Sequence, residues 1–435
     1  MTNFCFSNRI DNMKISVIGL GYVGLSTMIS LLKKGYEVNG VDISLKKIDL
    51  LKNNLSPIPE PGVEEIFRYN CEYSNDYSLI KGSDIIFVCV DTPTDENYVS
   101  NLTNLNDAVD STCKHLKHSA IIVIKSTIPV GTTRNISNNY KVLHPELDAR
   151  FAFNPEFLAQ GTAVKNAVNP NRILLGVEDE HSKQTLETVF SDFHCPIITT
   201  DLETAELAKY VCNSFLATKI SFINEMANFA DATGANIDDI KKVMELDPRI
   251  GNVFLNPGIG YGGGCFIKDT RSLIKQGQNH NVTLNVVKGT DETNNKQKNT
   301  LLKRFYNYLG TFAHLREQDI LMVGFAFKPN TGDLRGSIAL DNLKYLREYQ
   351  PRIHVYDPLI DRNNPSLQDL IFEDDLKLAV NKCKYILIYS EKTEALLLDS
   401  KDYKNKIIFD GRNLLTRHLV KDAKHYEGIG RKFSK

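Results

Sequence analysis

Apolar residues in this chain gather in short dense runs, separated by polar stretches with helical spacing. That is the pattern of strands buried on both faces, alternating with helices. Lys14–Gly19 is a β-branched run that ends in glycine. Leu25–Lys34 then has helical spacing, and Tyr36–Asp42 is strand-like again. This opening predicts a βαβ unit, hence a parallel sheet with a right-handed crossover. Further runs at Ile85–Val90, Ala120–Ile124 and Ile173–Val177 predict more strands of the same sheet.

A different texture begins near Thr200. Thr200-Asp-Leu-Glu203 reads as a capping box, and helical periodicity then continues without Gly or Pro until Gly234. A helix of about thirty residues would span about 45 Å, which suits a connector between lobes and an oligomer interface. Gly258–Gly264 is a glycine-rich loop, with a helix predicted from about Ile267. From Asp319 a second α/β texture appears, with strands expected at Ile320–Phe325, Ile353–Asp357, Tyr385–Tyr389 and Ile407–Asp410. The fold class expected is α/β: two Rossmann-like lobes with parallel sheets, joined by a long central helix and a helical middle domain. The expected boundaries are 13–199, 200–300 and 301–435, with residues 1–12 a polar extension before the fold.

Composition narrows this picture. A chain of 435 residues exceeds one comfortable core, in line with several domains. Its 52 basic and 53 acidic residues leave a formal charge of −1, so neither nucleic acid nor an anionic membrane is expected as a partner. An anionic substrate must instead be held by a few placed cations. The apolar stretch Ile15–Leu32 imitates a targeting segment, but glycines interrupt it and no cleavage pattern follows. The cysteines (Cys5, Cys71, Cys89, Cys113, Cys195, Cys212, Cys265, Cys383) show no paired or zinc-like spacing. They read as reduced thiols of a cytoplasmic protein, with no metal site, and most as core filler.

Gly19-Leu-Gly21-Tyr22-Val23-Gly24 matches GxGxxG between a strand and a helix, and Asp42 ends the next strand about twenty residues on. The first glycine makes the tight turn, the second admits a pyrophosphate, and the third lets helix and strand pack. The helix N-terminus offers its N–H groups to the phosphates. Asp42 would accept the ribose hydroxyls and repel a 2′-phosphate, while Lys47 would either weaken that preference or stand solvated. FAD shares the fingerprint, so the motif alone leaves the cofactor open.

Four further segments carry polar chemistry in apolar surroundings: Lys125-Ser-Thr127-Ile-Pro-Val-Gly131, Asn154-Pro-Glu156-Phe157-Leu158-Ala-Gln-Gly161, Glu206-Leu-Ala-Lys209 with Asn213, and Gly262-Gly-Gly-Cys265-Phe-Ile-Lys268-Asp269. In this order after the fingerprint they resemble the UDP-glucose/GDP-mannose 6-dehydrogenase family. Further matches are Asp247-Pro-Arg249-Ile-Gly-Asn252, Phe325-Ala-Phe-Lys328 with Thr331-Gly-Asp333, Val355-Tyr-Asp-Pro358 and Asp410-Gly-Arg412-Asn413. The likeness runs from Met13 to Arg431 and is nearest the UDP-glucose branch. It implies NAD as cofactor, a UDP-sugar substrate and a homodimer in which Arg249 reaches the neighbouring site. It also implies catalytic roles for Cys265, Lys209, Asp269, Asn213, Glu156 and Thr127. Cofactor contacts are expected from Gly19, Gly21, Tyr22, Val23, Gly24, Asp42, Lys47, Thr92, Thr127, Lys268 and Arg335. Substrate contacts are expected from Glu156, Phe157, Leu158, Lys209, Asn213, Arg249, Tyr261, Gly262, Lys328 and Arg412.

The residues themselves support such chemistry. Taking a primary alcohol to an acid needs two hydride transfers and one oxygen from water. A cysteine retains the aldehyde between them as a thiohemiacetal, which is then oxidised to a thioester. Cys265 lies in a glycine loop at a helix start beside Lys268, and both features favour a thiolate. Lys209 and Asn213 share a helix face, and the resemblance implies that they stabilise the alkoxide and oxyanion, where the residues alone would read as a solvated lysine and an exposed asparagine. Asp269 would hold a water, with Glu156 as base for thioester hydrolysis and Thr127 completing the relay. The glycine loop offers close backbone approach to a diphosphate. Gly264, Ile267 and Asp91 depart from the family pattern and bear on turnover. A GDP-mannose enzyme, a single-step hydroxyacid dehydrogenase and a non-catalytic sensor are the competing readings. The last two would not need Cys265.

Overall fold

The βαβ opening forms where the pattern placed it, in a computed structural model that describes residues 13–116, 119–431 and 433. The extension expected over residues 1–12 lies outside the described residues. β1 (Lys14–Ile18), α1 (Tyr22–Leu32), β2 (Glu37–Val41) and α2 (Leu45–Lys52) come first, followed by the short β3 (Tyr73–Ser74) and β4 (Ile85–Val88). α3 (Thr103–Cys113), β5 (Ala120–Ile124), α4 (Thr132–Leu143) and β6 (Ala149–Phe153) continue the alternation. α5 (Ala163–Val168), β7 (Ile173–Val177), α6 (Glu180–Phe190), β8 (Ile197–Thr200) and the long α7 (Leu202–Thr233) follow. The chain divides within α7 into two compact units, one ending at Cys212 and the other beginning at Asn213.

The first unit's sheet has the order β3-β2-β1-β4-β5-β6-β7-β8. Successive residues of β4 serve opposite faces: Ile85 and Phe87 join one apolar cluster, Ile86 and Val88 the other. All four are fully buried, worth roughly 2 kcal/mol per side chain relative to exposure. Such runs cannot reveal strand direction, because a fully buried strand reads the same in both senses. Accordingly β7, expected to be parallel, runs antiparallel to β6. The strands that the pattern missed, β3, β6 and β8 here and both edge strands of the second sheet, are two residues long or begin or stay half-buried with polar residues.

The second unit takes up the rest of α7, then α8 (Ile237–Glu245), α9 (Gly264–Asn279), α10 (Asn285–Gln297) and α11 (Thr300–Leu309). Its sheet begins with β9 (Asp319–Val323), α12 (Ile338–Arg347), β10 (Arg352–Tyr356) and β11 (Ile371–Phe372). α13 (Leu376–Lys382), β12 (Tyr385–Ile388), β13 (Ile407–Asp410), α14 (Arg417–Val420) and the edge strand β14 (His425–Gly428) complete it. The order is β11-β10-β9-β12-β13-β14, and every pair is parallel. In each sheet the first strand of the unit lies beside one from later in the chain (β1 by β4, β9 by β12), which opens a crevice at their C-terminal ends.

Two helix starts differ from expectation. Asp201, not Thr200, caps α7, its Oδ1 accepting the Thr204 amide at 2.7 Å. Glu203 does not reach back as a capping box requires, because it pairs with Arg134. α9 begins at Gly264, three residues earlier than Ile267, so Cys265 belongs to the first helical turn. Among the described residues no helix is long and apolar enough to cross a membrane.

Candidate active site

At the C-terminal end of β1, Gly19 adopts φ 89° and donates its amide to Val41 O at 2.8 Å. A Cβ on Gly24 would stand 1.9 Å from the Gly19 carbonyl oxygen, so helix and turn pack at glycine distance. Around Gly21 there is open space, and no side chain caps α1. The first-turn end of α1 is therefore left for an anionic ligand, as a bound dinucleotide requires. Asp42 is buried, with Oδ2 accepting the Leu20 amide at 2.7 Å and Oδ1 the Ser44 amide at 2.9 Å. Lys47 remains partly exposed but is paired: its Nζ lies 2.8 Å from Asp42 Oδ2. The Thr92 hydroxyl, after β4, donates to Thr127 O at 2.6 Å and joins the two turns beside this end of the sheet.

Deeper in the same unit, Lys209 of α7 is 3% exposed and donates to both Glu156 O at 2.7 Å and Glu156 Oε1 at 2.6 Å. Glu156 Oε2 accepts the Leu158 amide at 2.6 Å. Burial pushes the Glu156 carboxyl up, but Lys209, the Leu158 amide and Lys125 outweigh it and hold it below the ordinary value. Lys125 anchors the segment's start on Asn154 Oδ1 at 2.7 Å, and burial lowers its own affinity for a proton. Arg172 stacks over the Phe157 ring, 3.8 Å from its centroid. Glu206, one turn before Lys209, accepts the amides of Gly131 and Thr133 at 2.5 and 2.8 Å and thus caps α4.

In the second unit Cys265 is exposed at the second position of α9, directly after the glycine run. Asp269, one turn on and 1% exposed, accepts a hydrogen bond from Asn213 Nδ2 at 2.7 Å. Lys268 Nζ lies 2.9 Å from the other oxygen of Asp269, so its charge is directed to that carboxylate. Arg335 pairs with Asp333, and its guanidinium carbon is 3.8 Å from where a Cβ on Gly264 would be. Arg412 is engaged with main-chain oxygens, Nε on Tyr389 O at 2.8 Å and Nη1 on Gly260 O at 3.2 Å. Lys328 lies over the Phe327 ring, and Arg249 has an 88% exposed side chain paired with Asp247. Lys209 and Asn213 stand four residues apart on α7, as the spacing predicted.

The glycine loop is tighter than close approach to a ligand demands. A Cβ on Gly260 would meet Asn294 Oδ1 at 2.5 Å, one on Gly262 would meet Gly336 O at 2.2 Å, and one on Gly263 the Phe327 ring at 2.5 Å. The glycines thus serve packing inside the unit. Asn224, Asn294 and Gln297, all buried, bond the loop backbone and are residues that sequence reasoning missed. Glu60, 2% exposed, is another: it accepts the Gly161 and Ala163 amides at 2.7 Å each. For Glu60 a signal existed, since the flanking prolines leave few local donors for its carboxylate. For α10, polar nearly all round, none did.

The cysteines sort by environment. Burial pushes the thiols of Cys89, Cys113 and Cys383 up to about 12 and raises those of Cys71 and Cys195. Cys265 is the one exposed cysteine among those described.

Three models of the UDP-glucose/GDP-mannose dehydrogenase family match in sequence order: the NAD binding domain over residues 13–194, the central domain over 203–296 and the UDP binding domain over 321–417. The chain is 36% identical to UDP-glucose 6-dehydrogenase YwqF of Bacillus subtilis, over 97% of this chain and 98% of that one. It is 33% identical to a UDP-glucose 6-dehydrogenase of Rhizobium meliloti, over 96% and 100%. A UDP-glucose dehydrogenase structure from Pyrobaculum islandicum superposes with TM-score 0.90 at 28% identity, covering 98% of this chain and 99% of that one. A UDP-D-ManNAc dehydrogenase from Pyrococcus horikoshii gives TM-score 0.84 at 27% identity, over 96% and 99%.

Proposed function

The chain belongs to the UDP-glucose/GDP-mannose dehydrogenase family, with NAD as cofactor, and we propose that it oxidises UDP-glucose to UDP-glucuronate through a thioester on Cys265. The observation that carries this reading is the contrast among cysteines. Cys265 alone of those described is exposed, and it sits at a helix N-terminus one turn from a buried carboxylate.

NAD supplies the hydride acceptor when bound. The chain's own residues do the rest. Lys209 and Asn213 lend positive charge and an N–H to the alkoxide of the first oxidation and the oxyanion of the second. The Cys265 thiolate adds to the aldehyde carbon, forming the C–S bond that retains the intermediate. Loss of the second hydride from this thiohemiacetal gives the thioester; water held at Asp269 then attacks it, Glu156 accepts its proton, and the C–S bond breaks to return the thiolate. Per sugar, two hydrides leave and one water oxygen enters, which balances alcohol to carboxylate. Tyr22, Val23 and Thr92 line the cofactor side. Lys328, Arg412, Tyr261, Gly262, Phe157 and Leu158 contact the UDP-sugar.

We further read the protein as a cytoplasmic homodimer. α7 and the segment after it expose Phe215, Phe222, Phe229, Val243 and Leu246, with Phe215, Phe222 and Phe229 spaced by sevens along the helix. That is an apolar stripe of the kind that a second copy covers, and Arg249 would reach across it. An exposed thiol nucleophile also needs a reducing compartment.

The test is NADH production against a panel of UDP- and GDP-sugars, with products identified by mass spectrometry. UDP-glucose should be preferred and should yield two NADH per sugar. One NADH with released aldehyde would overturn the thioester route, and preference for a UDP-N-acetylhexosamine would overturn the substrate.

A further inference from the structure

Helix α10 presents two buried side-chain amides, one turn apart, to the loop that precedes the nucleophile. Asn294, 1% exposed, closes a two-bond ring on Tyr261: its Oδ1 accepts the Tyr261 amide at 2.8 Å and its Nδ2 donates to the Tyr261 carbonyl at 3.1 Å. The orientation of this amide is determined, because a flip would set donor against donor and oxygen against oxygen. Gln297, also 1% exposed, donates Nε2 to Gly258 O at 2.6 Å. Asn224 of α7 accepts the Gly258 amide at 2.7 Å. Gly258 and Tyr261 thus have both main-chain groups held by side chains that are themselves buried.

Beyond Tyr261 the chain has little freedom. Gly260 lies against Asn294 with no room for a Cβ, and the Gly263 amide is bonded to Arg335 O at 3.1 Å. α9 starts at the next residue and carries Cys265 at its second position. A loop rich in glycine would otherwise sample many conformations, and its thiol would share that spread. A reacting sulfur displaced by about 1 Å from an attack geometry can lose about a hundredfold in rate.

We propose that Asn294 is a positioning residue for the Cys265 nucleophile, acting through the Tyr261 backbone, with Gln297 and Asn224 securing the other end of the loop at Gly258. This rests on the thioester reading above, but the clamp itself concerns only where the thiol is held. Asn294→Asp is the informative change. It is nearly isosteric and still accepts from the Tyr261 amide, but it turns a carboxylate oxygen on the Tyr261 carbonyl where an N–H had donated.

The experiment uses the full-length protein and three readouts: alkylation of Cys265 by iodoacetamide at neutral pH (with Cys265→Ser as the blank), kcat and KM for UDP-glucose and for NAD, and thermal unfolding. Asn294→Asp is expected to slow both alkylation and kcat by about tenfold or more, with KM for NAD unchanged and a cooperative thermal transition retained. Gln297→Met, which removes the Gly258 bond along with those that Gln297 Oε1 accepts from Asn228 and Thr300, should shift both rates the same way by a smaller factor. If Asn294→Asp folds and alkylates and turns over within about twofold of the unmodified protein, the clamp does not position the thiol and the proposal is overturned. Should Asn294→Asp fail to fold, Gln297→Met decides on the same readouts. Absence of UDP-glucose oxidation by the unmodified protein would refute the functional reading instead, while the alkylation rates would still report on the clamp.

Discussion

Lys209→Met isolates the buried pair at the core of the first unit. Lys209 is 3% exposed and makes two charge-assisted bonds, to the Glu156 carbonyl at 2.7 Å and carboxylate at 2.6 Å. Methionine fills a similar volume without charge, so the cost comes from stranding Glu156 rather than from a cavity. Breaking a buried pair costs about 3–5 kcal/mol, and the surviving Leu158 amide and Lys125 favour the lower end, about 3 kcal/mol. Sign matters for pH. Glu156 is held below its ordinary value, so its contribution is present above about pH 4.5 and lost as pH falls through the lowered value. Without Lys209 burial dominates and the carboxyl rises. The stability gap between the two proteins should therefore be widest near neutral pH and close in acid. Hydrogen exchange of first-unit peptides is the right assay, because a chain of two units need not unfold in one step. A double-mutant cycle with Glu156→Gln should return a coupling of about 1–3 kcal/mol. Strict additivity, or a gap that persists at acid pH, would refute the reasoning.

Other expectations follow from single sites. Asp42→Ala should narrow the preference for NAD over NADP in steady-state kinetics, and should also destabilise by about 1–3 kcal/mol because the Leu20 and Ser44 amides lose their acceptor. Gly262→Ala and Gly263→Ala should abolish turnover, since each Cβ meets main chain or a ring. Gly264→Ala meets nothing closer than 3.8 Å and should fold normally, gaining about 0.5–1 kcal/mol in thermal denaturation. Asp319 is held down to about 2 by hydrogen bonding to Arg352 and His354, so its stabilisation is present above the ordinary 3.8 and lost as pH falls through 2. Asp319→Asn should flatten the acid limb of second-unit stability over that window.

The alternation of buried runs and helical stretches was enough to recover the inner strands of both sheets except β6, because a strand buried on both faces must be apolar throughout, whereas β6 opens on the half-buried Ala149 and Arg150. The long helix was legible for a similar reason: thirty-two residues without Gly or Pro leave little else to form. The fingerprint glycines and Asp42 were readable because they answer local steric demands within one βαβ unit. Cys265 could be nominated from its glycine loop at a helix start, whereas Lys209 was nominated only through the family resemblance, since a lysine on a helix otherwise reads as solvated.

Direction and partnership were decided elsewhere. That β7 runs antiparallel, that Asp201 rather than Thr200 caps α7, and that Lys47 bonds Asp42 all depend on what the fold brings alongside. The glycine loop shows the division most clearly. Its composition announced close approach, but the partners that make glycine obligatory are Asn294, Gly336 and Phe327, up to seventy-four residues away in the chain. Likewise Glu60 meets Gly161 at a separation of 101 residues, and Asn213 meets Asp269 at 56. A chain by itself specifies periodicities and local turns. Which distant polar group satisfies which is a property of the packed structure, where each buried donor must find an acceptor within about 3 Å.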